Sequence, residues 1–252
     1  MRAADLAVIT SVGGDDIPLN TAEALIGNRG VLVLAPHPDD ESLACGALLA
    51  SAFAMPGPKK AHVVCLTDGA ASHPGSREVS AADLAILRRQ ELQMAVLYLG
   101  GTAGDVTWLG APDGSLVAAS EMVDRIVAIA RDCDAGLVLA PSPLDPHCDH
   151  VAGATIGRAV AAQMPGVRLG YYPVWSRWHG GGTAPVPDRT YAVGLRAGPH
   201  AARKAAAIAA HASQQGGVVR DAPDGFEMPP GFADFFAKQD EIYFLDQPGD
   251  QP

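Results

Sequence analysis

Short apolar runs, each followed by a longer segment of helical periodicity, recur along most of this chain, and no other feature narrows its fold as far. Residues 31–35 (V-L-V-L-A) are the clearest case. A strand with one wet face alternates apolar and polar side chains, whereas a strand covered on both faces is apolar throughout. The pattern predicts strands at 31–35, 62–66, 106–109, 137–140 and 168–172, then at 191–195 and 242–245. Helices are predicted at 41–54, 80–99 and 121–131, from about 150, and at 200–212. Strands alternating with helices pair in parallel, because each crossover helix returns the chain to the same end of the sheet.

The expected class is therefore α/β: a Rossmann-like, mostly parallel sheet with helices on both faces. No stretch resembles an interdomain linker, so residues 1–252 are expected to form one domain with its core at about 30–214. Residues 175–187, rich in Gly, Pro and aromatics, read as a long loop or lid, and 248–252 as a frayed end.

Hydrophobic residues make up 48% of the chain, which excludes low-hydrophobicity disorder. Acidic residues outnumber basic ones by 28 to 18, for a net charge of −10, and no Lys/Arg cluster offsets this. Nucleic acid and anionic membranes are thereby excluded as partners, since both need a basic patch. Membrane insertion is not expected either, because no apolar run approaches the roughly 20 residues that span a bilayer. The start, M-R-A-A-D-L-A-V-I-T-S-V, makes a poor signal peptide. Cys45, Cys65, Cys133 and Cys148 are scattered as free thiols would be in a reducing compartment. The expected location is the cytoplasm.

Ligands of open parallel sheets bind beyond the carboxyl ends of the strands. Two segments carry metal-type donors to such ends. A-P-H-P-D-D-E brings His37, Asp39, Asp40 and Glu41 after the strand at 31–35, and P-L-D-P-H-C-D-H brings Asp145, His147, Asp149 and His150 after 137–140. Imidazole and carboxylate suit a borderline cation such as zinc. Pro36 and Pro38 stiffen the first loop and lower the cost of ordering its ligands.

H-P-D-D-E followed by H-x-D-H resembles the PIG-L/LmbE-like family of zinc-dependent N-acetylglucosaminyl de-N-acetylases. T-D-G at 67–69, R-x-x-E at 88–91 with Leu99-Gly100 after it, and H-x-S-Q at 211–214 fall in the family's order. The resemblance covers roughly residues 30–214. It implies a hydrolase of linear amides that removes acetyl from an N-acetylated amino sugar on a small conjugate. His37, Asp40 and His150 would be the metal ligands, for Zn²⁺ or for Fe²⁺ where zinc is scarce. Asp39 would be the general base. Protonated His147 would stabilise the oxyanion and hand a proton to the leaving amine, oriented by Asp149. Arg88 would sit near the sugar or a phosphate-bearing aglycone, and Asp113 would accept hydrogen bonds from sugar hydroxyls. The chemistry asks for the same parts: an activated water, a base for its proton, and an acid, because an amide anion leaves badly.

Plainer readings compete. Asp39 would make an ordinary helix cap, Asp113 before Gly114 a turn residue, and Arg88 part of a solvated helix face. His211 falls at a helix C-terminus, where imidazolium is favoured, and Cys148 reads as a spacer. Three other functions share the motifs: an amidase acting on a sugar–thiol or other acyl conjugate, a non-haem Fe(II) oxygenase with two His and one carboxylate, and a sugar-binding protein that only retains the metal site. A homo-oligomer is compatible with all of them.

Overall fold

The computed structural model describes residues 11–57 and 60–247; the start read as a poor signal peptide and the expected frayed end at 248–252 fall outside the described residues, apart from residues 11–12. In chain order the elements are β1 (Ser11–Val12), β2 (Leu19–Asn20), α1 (Ala22–Ile26), β3 (Gly30–Ala35), α2 (Asp40–Ala54), β4 (Ala61–Thr67) and α3 (Ala81–Leu99). There follow β5 (Val106–Ala111), α4 (Ser120–Asp132), β6 (Ala135–Pro141), α5 (Cys148–Ala162) and β7 (Arg168–Tyr172). The last part holds α6 (Trp175–His179), β8 (Ala184–Pro185), β9 (Thr190–Leu195), α7 (Ala201–Ala210), α8 (Phe232–Lys238) and β10 (Glu241–Asp246).

Eight strands form one sheet in the order β2-β9-β10-β7-β6-β3-β4-β5, and β1 with β8 makes a small antiparallel ribbon. The five strands β5, β4, β3, β6 and β7 are parallel to one another, while β10 runs antiparallel between β7 and β9. The apolar runs met their expected fate: Val31 to Ala35 has no exposed surface. Its side chains divide by parity. Val31, Val33 and Ala35 enter the core under α2, α3, α7 and α8, and Leu32 and Leu34 enter the core under α4 and α5. Strand β3 is thus covered on both faces, as a continuous apolar run requires. Among the described residues no helix is long and apolar enough to cross a membrane.

Chain order places the site. From β3 the chain moves outward to β4 and β5, then returns to the other side of β3 for β6 and β7. Strand order therefore reverses between β3 and β6, and the loops leaving their carboxyl ends diverge around a crevice. These loops carry the two His/Asp segments.

Local signals account for both ends of α3. The Ser80 hydroxyl accepts the Asp83 N–H at the start of α3, and Gly100 closes that helix at φ 99°. The expected loop at 175–187 is the main departure, because it contains α6 and β8. Helix α6 starts on a carboxylate thirty residues away in sequence, that of Asp145, which no local pattern could announce.

Inside the helical layer, Glu241 of β10 accepts hydrogen bonds from Lys204 Nζ (2.8 Å), the Tyr243 hydroxyl (2.7 Å) and the backbone N–H groups of Ala47 (2.7 Å) and Leu48 (2.9 Å). One buried carboxylate thus locks α2 and α7 to the sheet. Gly46 makes room for this, since a Cβ there would lie 2.8 Å from Lys204 Cγ.

Candidate metal centre and active-site cleft

His37 leaves the end of β3, Asp40 opens α2, and His150 lies in the first turn of α5. Asp40 bridges the other two. Its Oδ2 lies 3.5 Å from His37 Nδ1, and its Oδ1 lies 3.4 Å from His150 Nε2. Two ligands of a tetrahedral zinc, at bond lengths near 2.1 Å, would be about 3.4 Å apart. His150 Nε2 is buried and has no hydrogen-bond partner, a state that an acceptor nitrogen facing a cation would resolve.

A carboxylate stands behind each of these imidazoles. Asp145 Oδ2 accepts from His150 Nδ1 at 2.9 Å, and Asp149 Oδ2 accepts from His37 Nε2 at 3.1 Å. Such backing fixes the tautomer so that the opposite nitrogen presents its lone pair to the centre. The residues expected as ligands from the sequence therefore converge, and their donor set fits a divalent cation. A third imidazole is close: nitrogens of His37, His147 and His150 all lie within 4.8 Å of one another.

Asp39 is the strained member. It precedes α2 at φ 148°, a region that side-chain-bearing residues rarely occupy, and its carboxylate makes no cap to the helix. The capping reading is thereby set aside. The loop is held in this shape from behind. Glu41 Oε2 accepts the Asp39 N–H (3.0 Å), while Glu41 Oε1 accepts from Ser42 Oγ (2.5 Å) and from His211 Nε2 (3.1 Å). His211 is thus a buried partner of the Asp39 loop, and its place at the end of α7 is incidental.

Arg88 is buried, so it does not belong to a solvated helix face. It donates from Nη1 to the Gly69 carbonyl (2.9 Å) and from Nη2 to the Pro38 carbonyl (2.9 Å) and to Asp39 Oδ2 (3.3 Å). Gly69, at φ 65°, permits the approach, because a Cβ there would lie 2.8 Å from Nη1. Burial pushes the Asp39 carboxyl up to about 6, against the pull of this guanidinium.

The expected pairing of Asp149 with His147 is corrected by the structure. The Asp149 carboxylate accepts from Gly114 N (2.7 Å), Leu116 N (2.9 Å) and His37, and only its backbone N–H reaches His147, at Nδ1 (3.2 Å). As the first-turn residue of α5, Asp149 turns toward β5 and β3, where those donors lie. His147, at the N-cap of the same helix, keeps Nε2 toward the cleft. Burial, together with the neighbouring His37 and His150, lowers its pKa.

The cleft has a volume of about 330 Å³ and is lined by Asp39, Asp40, His37, His147 and Arg88 on its polar side. Asp113 joins them, with Oδ2 accepting the Ala71 N–H (2.9 Å) and Oδ1 lying 3.2 Å from His37 Nε2. Ser72 and Pro74 line the rim, as does Trp175. Trp178, in the same helix as Trp175, packs against Phe232 and Phe235.

Several contributors had no assigned role from sequence alone. Glu91 accepts the N–H and hydroxyl of Ser213 (2.7 Å each), which seats Gln214 in the cleft wall. The H-x-S-Q spacing was a usable signal for that turn. Asp224, Phe226, Met228 and Phe232 also line the cleft, but they come from a loop and helix with no motif.

Comparison with known proteins agrees with this architecture. A 2'-N-acetylparomamine deacetylase of Streptomyces fradiae is 32% identical over 163 residues, which span 56% of each chain, so the match covers just over half of that relative's length. A deacetylase of the teicoplanin biosynthetic pathway, solved as a triple mutant, superposes with a TM-score of 0.66 at 18% identity, covering 88% of this chain and 99% of the other. The 4-carboxy-2-hydroxymuconate hydratase of Pseudomonas putida gives a TM-score of 0.62 at 20% identity over 82% of each chain. At such identities the likeness is one of fold, and the fold evidently hosts more than one reaction. The family model described as PIG-L, GlcNAc-PI de-N-acetylase, matches residues 32–161, a span that includes both ligand-bearing loops and the strands that set them. With more than half of its length matched, this chain belongs to the PIG-L family.

Proposed function

We propose that this protein is a metal-dependent amide hydrolase that removes acetyl from an N-acetylated amino sugar, carried by a single domain. The observation that carries the reading is a buried, partnerless His150 Nε2 facing Asp40 and His37 beside a strained Asp39 carboxylate in one cleft. His37, Asp40 and His150 would hold the cation, with zinc favoured by the two-imidazole, one-carboxylate donor set. Bound there, the metal would polarise the acyl carbonyl and acidify a water.

The chain's own residues supply the rest. Asp39, raised toward neutrality by burial, takes a proton from the attacking water. Arg88 and Glu41 keep that carboxylate aimed away from the helix axis. His147 accepts an N–H at Nδ1, so its neutral ring carries hydrogen at Nε2 and donates to the carbonyl oxygen as charge develops there. That bond opposes the doubly protonated ring expected from the family pattern. The proton for the leaving amine then returns from Asp39. Water and amide yield acetate and the protonated amine, with no net proton change on the protein.

Asp149 acts as the orienting carboxylate of His37. Arg88, committed to Pro38, Gly69 and Asp39, is poorly placed to clamp a phosphate, whereas Asp113 and Asp224 make the lining acidic. A neutral or cationic amino-sugar conjugate fits this lining better than a phosphorylated one.

The test is acetate release by metal-stripped protein reloaded with Zn²⁺ or Fe²⁺. The panel holds N-acetylglucosamine conjugates with cationic, neutral and phosphorylated aglycones. Metal-dependent acetate from the cationic or neutral members is expected. No acetate from any member, with metal shown to be bound, would refute the deacetylase reading, and turnover that requires O₂ would favour an oxygenase.

A further inference from the structure

The fully buried side chain of Asp145 accepts five hydrogen bonds. Oδ2 takes His150 Nδ1–H (2.9 Å) and the backbone N–H groups of Val174 (2.9 Å) and Trp175 (3.3 Å). Oδ1 takes the N–H (2.9 Å) and hydroxyl (2.5 Å) of Ser176. The three consecutive N–H groups open α6, whose first donors have no partner within the helix. A helix of five residues has too few internal bonds to hold itself, so its position depends on what it is tied to. Val174 and Trp175 line the cleft, and the Trp175 ring packs at a tilt against Phe232, 4.9 Å between ring centroids.

We propose that Asp145 is a positioning residue that couples metal occupancy at His150 to the aromatic wall of the cleft. The inference rests on His150 as a metal ligand. A cation at Nε2 draws electron density from the ring and makes Nδ1–H a stronger donor to Oδ2. A carboxylate held more firmly by His150 holds the 174–176 amides more firmly in turn. Linkage makes the effect reciprocal: a seated α6 presents Oδ2 to His150 and raises metal affinity. Substrate stacked on Trp175 would then favour the metal-loaded state.

Hydrogen exchange at the amides of 174–176, measured on the full chain with and without Zn²⁺, tests this without a variant. Exchange should slow on metal loading. Asp145→Asn provides the second arm, with metal affinity read by chelator competition. Metal binding should weaken 10- to 100-fold, as is typical when the group behind a ligand is lost. The variant's 174–176 amides should exchange equally fast with and without Zn²⁺, and at saturating metal its KM should be higher than that of wild type. Wild-type protein that binds Zn²⁺ with no change at 174–176, or a folded Asp145→Asn protein with wild-type metal affinity, would overturn the coupling alone. Wild-type protein that binds no divalent metal would overturn the metal centre and the coupling with it.

Discussion

Replacing Asp39 by Ala and by Gly separates its chemistry from its backbone. Both variants lose the carboxylate and the contact to Arg88, and both keep His37, Asp40 and His150. They differ in one Cβ, at a residue whose φ is 148°. Holding a side-chain-bearing residue in such a region costs about 1–3 kcal/mol, which glycine largely escapes. Glycine's larger unfolded-state entropy returns about 0.5–1 kcal/mol of that advantage. The Gly variant should therefore be more stable than the Ala variant by about 1 kcal/mol, while both lose nearly all turnover and bind metal within a few-fold of wild type. Urea unfolding followed by circular dichroism, in the presence of a chelator, reads the difference free of metal linkage. An Ala variant as stable as the Gly variant would show that position 39 stores no strain, and Glu41 and Arg88 would lose their assigned task of holding it.

Other substitutions probe the remaining parts. His150→Ala should abolish tight metal binding; retention of wild-type affinity in equilibrium dialysis would refute the ligand set. Glu241→Gln leaves Lys204 buried without its counter-charge and should cost about 3–5 kcal/mol, whereas Lys204→Met should cost less, because Glu241 keeps the Ala47, Leu48 and Tyr243 donors. Equal losses in urea titrations would contradict that asymmetry. Gly69→Ala pushes a Cβ to within 2.8 Å of Arg88 Nη1 and should displace the guanidinium from Asp39. A loss of about 1.4 kcal/mol of transition-state stabilisation would read as a tenfold fall in kcat. An unchanged kcat would argue that Arg88 does not position the base.

Much of this was legible in the chain itself. Residues 31–35 announced a strand buried on both faces because burial on two sides leaves no position for a polar side chain. H-P-D-D-E and H-x-D-H announced metal-type side chains at strand ends because few other local structures need so many His and Asp side by side. The sequence left Arg88 open between the site and a solvated face, because R-R-Q-E on a helix has the composition of such a face, and only the fold shows that Arg88 is buried while Ile86 stays exposed. Residues 175–187 were misread because α6 starts on Asp145, which follows the neighbouring strand β6.

The sequence by itself thus determined the main strands and the long helices, and which loops hold the metal-type side chains, since periodicity and residue chemistry are local; it did not announce the short helices α1, α6 and α8. The tertiary structure alone decided the partners: Asp149 with His37 and not with His147, Asp145 with both His150 and α6, Glu41 with His211. The reason is geometric. A carboxylate accepts from whichever donors the packing brings within about 3 Å of it, and spacing along the chain does not report that distance.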